Sequence, residues 1–155
     1  MTTGERAPNF TAHAPDGQAV ALPELRGRRV LLFFDPKDSS LGCSIEARGF
    51  ETRLADFDRL GVTVVGASMG DEKAQAGFRE KCGLSFPLVS DPGRAVARAY
   101  GVLGPVGSLF GMTSRTSFLI GPDGRIERVW ANVNPNNHAQ KVLAELSTAP
   151  ATAGA

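Results

Sequence analysis

Cysteine is scarce in this chain: Cys43 and Cys82 are the only two among 155 residues. In a reducing compartment such a pair does not make a permanent structural disulfide. Histidine is equally scarce. His13 and His138 stand far apart, and neither they nor the cysteines show zinc-ligand spacing, so no metal site and no cofactor are expected. Long hydrophobic runs are missing too. No segment approaches the roughly 20 apolar residues that span a bilayer, and the opening MTTGERAPNF lacks the apolar stretch of a signal peptide. The expectation is a soluble, cytoplasmic protein with no membrane partner. Charge of one sign is also absent: 17 basic and 16 acidic residues are interspersed and sum to +1. Without a basic block to neutralise phosphates, no nucleic-acid partner is expected.

What remains is an ordinary globular balance, 42% hydrophobic and 21% charged, in a length that suits one domain with a single core. No internal repeat interrupts it. One domain is expected over 1–147, followed by a flexible tail over 148–155, TAPATAGA. RRVLLFF (28–34) and GVTVVGAS (61–68) are continuous apolar runs rich in β formers, as in strands buried on both faces. Between them Cys43, Ala47, Phe50, Leu54 and Phe57 recur at steps of four and three, one face of an amphipathic helix. A second helix is predicted over Asp71–Cys82, closed by Gly83 at a left-handed cap. FPLVS (86–90) reads as a short strand. DPGRAVARAYGV follows as a helix with Asp91 as N-cap and Pro92 at its first position. GPDG between RTSFLI and RIERVWANV signals a β-hairpin over 115–133, and NNHAQKVLAEL a closing helix. FTAHAPDGQAVAL, near the start, suits a small peripheral hairpin around Asp16 and Gly17. The order predicts an α/β protein, with a central mixed β-sheet flanked by helices on both faces.

Residues 36–47 read PKDSSLGCSIEA and place Cys43 in the first turn of the first helix. A buried small hydrophobe is the usual fate of such a cysteine. A helix start, however, presents unpaired N–H groups and the positive end of the dipole, and these lower a cysteine pKa from about 8.5 to about 3.5–7.5. Pro36 stops the preceding strand, and Gly42 lets the backbone approach whatever binds beside the sulfur. Ser40 is placed to cap the helix, and Glu46 to be a solvated helix charge.

The run PKDSSLGC resembles the peroxidatic-cysteine motif of peroxiredoxins, Pro-x-x-x-Thr/Ser-x-x-Cys, and its surroundings look most like the peroxiredoxin Q, or bacterioferritin comigratory protein, subgroup. The resemblance continues through APNF (7–10), VVGAS (64–68), FPLVSD (86–91), GMTSRTSFLI (111–120), PDG (122–124), Val129-Trp130 and His138. A lone Pro-x-x-x-Ser-x-x-Cys is a weak signal; Arg115 ahead of TSFLI makes it specific.

The resemblance implies a thioredoxin-like fold and a thiol-dependent peroxidase reducing hydrogen peroxide and organic hydroperoxides. Cys43 would be the nucleophile and become a sulfenic acid. Ser40 and the backbone N–H groups of Gly42 and Cys43 would hold the peroxide, Arg115 would stabilise thiolate and transition state, Pro36 would shield the sulfur, and Glu46 would support the loop. Without the family match, Arg115 reads as a surface arginine starting a strand. The resolving cysteine common five residues after the peroxidatic one is Arg48 here. Cys82, in the next helix, is the remaining candidate for an intramolecular disulfide opened by a thioredoxin-type reductant, and its alternative is a buried core thiol with an external thiol resolving Cys43. Leu41, Asp35, Gly70 and Gly121 also depart from the subgroup's residues without removing a group the reaction needs. Trp130 and Phe110 are expected in core or rim packing, and the subgroup implies a monomer or weak dimer. Rival readings are a redox sensor that turns nothing over and a disulfide reductase, which lacks its Cys-x-x-Cys because positions 40 and 46 are Ser and Glu. A cysteine hydrolase lacks a histidine in catalytic context.

Overall fold

Two apolar runs form the centre of the molecule: β3 (Arg29–Asp35, RVLLFFD) and β4 (Val62–Ser68, VTVVGAS), parallel and paired along their full length from Arg29↔Val62 to Asp35↔Ser68. A computed structural model describes residues 3–13, 19–22, 27–35, 41–68, 77, 79–80, 83–90, 95–102, 116–131 and 137–148. In chain order the other elements are β1 (Thr11–His13), β2 (Ala19–Ala21), α1 (Leu41–Thr52), α2 (Leu54–Arg59), β5 (Leu88–Ser90), α3 (Ala95–Ala99), β6 (Thr116–Ile120), β7 (Ile126–Trp130) and α4 (His138–Thr148). The seven strands lie in the order β2-β1-β5-β4-β3-β6-β7. β5 continues the parallel set; β6, β7 and the leading hairpin β1–β2 are antiparallel additions. The expected mixed sheet is therefore present, and no helix among the described residues is long and apolar enough to cross a membrane.

Strand alternation sends side chains to two different covers. Val30, Leu32 and Phe34 of β3 join Phe118, Val96 and Tyr100 under α3. Leu31 and Phe33 join Ala47, Phe50, Phe57, Val142 and Leu146 under α1, α2 and α4. Phe33 stacks on Phe50 with ring centroids 4.7 Å apart. Gly66 of β4 makes that stack possible: a Cβ there would come within 2.8 Å of the Phe33 ring and 2.9 Å of Leu88, closer than carbon atoms pack.

The helix pattern over 43–57 is divided. Arg53 N–H donates to Phe50 O at 3.1 Å and Phe57 N–H to Arg53 O at 3.1 Å, so one helix ends and another starts around Arg53 while Phe50 and Phe57 stay in the core. Gly83 takes φ +66°; its N–H donates to Glu80 O and that of Leu84 to Arg79 O, the paired bonds of a left-handed helix cap. Asp91 and Pro92 lie outside the described residues. The GPDG turn closes the β6–β7 hairpin, with Asp123 Oδ1 accepting from Arg125 N–H at 3.1 Å. α4 runs through Thr148, one residue past the expected domain limit.

Candidate active site at the carboxyl ends of the central strands

Register places several strand ends together. Asp35 pairs with Ser68, Ser68 with Ser90, and Phe34 with Thr116. The carboxyl ends of β3, β4 and β5 and the start of β6 thus share one end of the sheet, the end at which ligands of open α/β sheets bind. From there the chain leaves β3 at Asp35 and enters α1 at Leu41, so Gly42 and Cys43 fall in the first turn of the helix. Their backbone N–H groups are among those with no intrahelical partner, and the helix dipole favours negative charge beside them.

Pro36, Ser40, Cys82 and Arg115 lie outside the described residues, as do the side chains of Cys43 and Glu46, and with them Gly70, His13's ring and Phe110. Their chain neighbours are fixed. Thr116, next after Arg115, is buried and paired to β3. Arg48, at the family's usual resolving position, is exposed on α1.

Two features escaped the sequence. Ser117 Oγ and His138 Nε2 lie 2.7 Å apart with both residues buried, at 0% and 2% exposure. The His138 ring stands edge-on to Phe50 of α1 at 5.7 Å and to Trp130 of β7 at 6.2 Å. The visible signal was a hydroxyl inside the apolar run TSFLI: in a strand buried throughout, it needs a partner. Secondly, Glu51 in the last turn of α1 accepts from Ser85 N–H at 2.6 Å and Ser85 Oγ at 2.8 Å. That bond ties the far end of α1 to the segment just beyond Gly83. A cleft of about 600 Å³, lined by Glu51, Leu54, Asp58, Val62, Ser85 and Phe86 among others, lies at this far end and not beside Cys43. Trp130 is half-buried against the core under α1, α2 and α4, its Nε1–H donating to Glu145 Oε2 at 2.6 Å while Arg128 covers the ring.

Residues 3–129 match the model of the AhpC/TSA family. The chain is 39% identical over 151 residues to a putative peroxiredoxin of Mycobacterium tuberculosis, covering 95% of this chain and 96% of that one. It is 35% identical over 146 residues to peroxiredoxin Bcp of Escherichia coli K12, covering 92% and 94%. Among solved structures, the bacterioferritin comigratory protein of Xanthomonas campestris, studied for alkyl peroxide reduction, superposes with a TM-score of 0.84 at 31% identity, over 91% of this chain and 92% of that one. BcpB of M. tuberculosis superposes with a TM-score of 0.85 at 31% identity, over 96% and 97%.

Proposed function

The chain belongs to the AhpC/TSA family and is a thiol-dependent peroxidase of the peroxiredoxin Q type, and from that premise we propose that Cys43 is its reacting thiol and Arg115 the cation beside it. The supporting observation is the first turn of α1, which opens at the carboxyl ends of β3 and β4, next to the start of β6. Leu119 and Ser117 of β6 face the α1 side of the sheet, and Arg115 directly precedes that strand in the chain. The proposal brings nucleophile and guanidinium together at that end of the sheet.

In this proposal the Cys43 thiolate attacks one peroxide oxygen, the O–O bond breaks, and the departing oxygen leaves as water or an alcohol after taking a proton. Charge developing on that oxygen is met by the N–H groups of Gly42 and Cys43, the Ser40 hydroxyl and Arg115. Pro36 shields the sulfur, and Glu46 supports the loop. The product is a Cys43 sulfenic acid. Cys82 attacks it, releases water and leaves an intramolecular disulfide, which a thioredoxin-type dithiol reduces in the cytoplasm; the enzyme works as a monomer or weak dimer.

Such a bridge needs the two Cα atoms within about 7 Å. Ser85, three residues after Cys82, is held by Glu51, which lies about 12 Å along the α1 axis from Cys43 at 1.5 Å per residue. Disulfide formation therefore includes unwinding of a helix end. Peptide mapping under nonreducing conditions, after one equivalent of hydrogen peroxide, tests the cycle. A Cys43–Cys82 peptide is expected; a Cys43 sulfenate beside unmodified Cys82 removes the intramolecular route. Cys43→Ser abolishes turnover, and Arg115→Ala slows it about a hundredfold or more. Full rate in either variant overturns the assignment.

A further inference from the structure

Resting on the assignment of Cys43 and Arg115 above, we propose that the buried Ser117–His138 hydrogen bond is a positioning device that sets Arg115 relative to the first turn of α1. A hydroxyl and an imidazole cost free energy to bury, and this is offset only when they pair. Apolar side chains of similar volume would fill the space without that demand. What the pair supplies is direction: one short bond of defined length and angle.

Its place in the fold gives that direction a use. Ser117 lies opposite Phe33 of β3 and Trp130 of β7. It is two residues beyond Arg115 in the chain, and Thr116 between them is buried and paired to Phe34 of β3. His138 opens α4, whose first turn packs against α1: a Cβ on Gly49 would come within 3.3 Å of Ala139. The imidazole packs T-shaped against Phe50, which lies on the same helix face as Cys43, two turns further on. One contact chain thus runs from β6 through Ser117, His138 and Phe50 into α1, joining the element that follows Arg115 to the element that carries Cys43. Neither Ser117 nor His138 reaches solvent, so the pair handles no substrate itself. A loosened strand end moves a guanidinium relative to a sulfur, and displacement of about 1 Å in such a site can cost about a hundredfold in rate.

The experiment uses the full chain and hydrogen peroxide in single turnover, together with the pH dependence of Cys43 alkylation by iodoacetamide, resolved by peptide mass so that Cys82 does not contribute. Ser117→Ala is expected to slow peroxide reaction about tenfold and to move Cys43 alkylation to higher pH. His138→Gln, whose carboxamide can replace Nε2, is expected to recover most of both. Leu146→Ala, a buried control on α4, is expected to lower stability while changing neither. In the Arg115→Ala background, Ser117→Ala is expected to have no further effect, because its influence passes through the missing guanidinium. The same slowing in that background, or in the Leu146→Ala control, overturns the proposal, as does an unaltered rate in Ser117→Ala. His138→Leu takes the place of Ser117→Ala in the cycle should the latter fold poorly. Arg115→Ala at full rate would instead sink the assignment of the active site, so the two failures are told apart.

Discussion

Under α3, the sheet presents Val30, Leu32, Phe34 and Phe118 to a cover of Val96, Ala97 and Tyr100, and the polar tip of Tyr100 is drawn back to a neighbouring carbonyl, its hydroxyl donating to Pro8 O at 2.8 Å. Under α1, α2 and α4, the same strands present Leu31, Phe33 and Leu119, but here a serine and a histidine side chain are sealed together within the packing. Both faces are dense and aromatic. The first fastens the N-terminal segment to the body of the molecule; the second sets the helix that bears the proposed nucleophile. Packing density alone does not distinguish a supporting face from a working one, whereas the directional bonds inside it do.

Neighbouring residues of β3 can break this comparison. Phe33 stacks on Phe50 and meets Phe86 edge-on, while Phe34 meets Tyr100 and Phe118 on the opposite face. Either one changed to alanine leaves a cavity and is expected to cost about 3–5 kcal/mol in a denaturant melt. Only Phe33→Ala, which removes a ring from beneath α1, is expected also to slow the reaction of Cys43 with peroxide, measured where both variants remain folded. Equal slowing by Phe34→Ala would erase the distinction between the faces.

Much of this architecture was legible because short-range signals agree with the final packing. RVLLFFD and VTVVGAS are continuous apolar runs of strand formers, and they became the two central strands. GPDG closed the hairpin where its turn chemistry directs, and Gly83 capped a helix with the positive φ it was expected to take. The division at Arg53 was hidden, because Phe50, Leu54 and Phe57 keep a helical spacing across it and only backbone hydrogen bonds make the break. The Ser117–His138 bond was hidden for another reason: it joins residues 21 apart in the chain, and no period or motif marks such a pair. Cys43 was placed by the helical spacing it shares with Ala47, Phe50, Leu54 and Phe57, and its helix start lies where expected. The proposed roles of Pro36, Ser40, Arg115 and Cys82 come from a motif, since local pattern carries no information on which loops meet in space.

The anchor at the far end of α1 sharpens the comparison along the working face. Glu51 holds Ser85 through two acceptor oxygens at an exposed site. Bonds to a charged group contribute about 1.5–3 kcal/mol when sheltered, and solvent screening reduces this pair to about 1 kcal/mol. Glu51→Gln is expected to lower stability by about that amount. It is also expected to hasten appearance of the Cys43–Cys82 disulfide after stoichiometric peroxide, without changing the preceding oxidation of Cys43. An unchanged rate of disulfide formation would mean that the segment beyond Gly83 does not move during resolution.

The smallest effect belongs to the supporting face and should stay there. Tyr100 is the only tyrosine in the chain, and burial pushes its phenol well above the usual range. Unfolded tyrosine ionises near pH 10, so below that pH the phenol is neutral in both states and its contribution to stability is complete. As pH rises past 10, the unfolded chain loses the proton while the folded chain keeps it, and stability falls. Tyr100→Phe removes the bond to Pro8 at a cost of about 0.5–1.5 kcal/mol and should flatten that part of the decline. The test is the difference between the two proteins' denaturation midpoints from pH 8 to 11, since other groups titrating in that range are common to both. Because α1 does not rest on this face, the peroxide rate at neutral pH should be the same in both, and a slower variant would show that the N-terminal segment reaches the site after all.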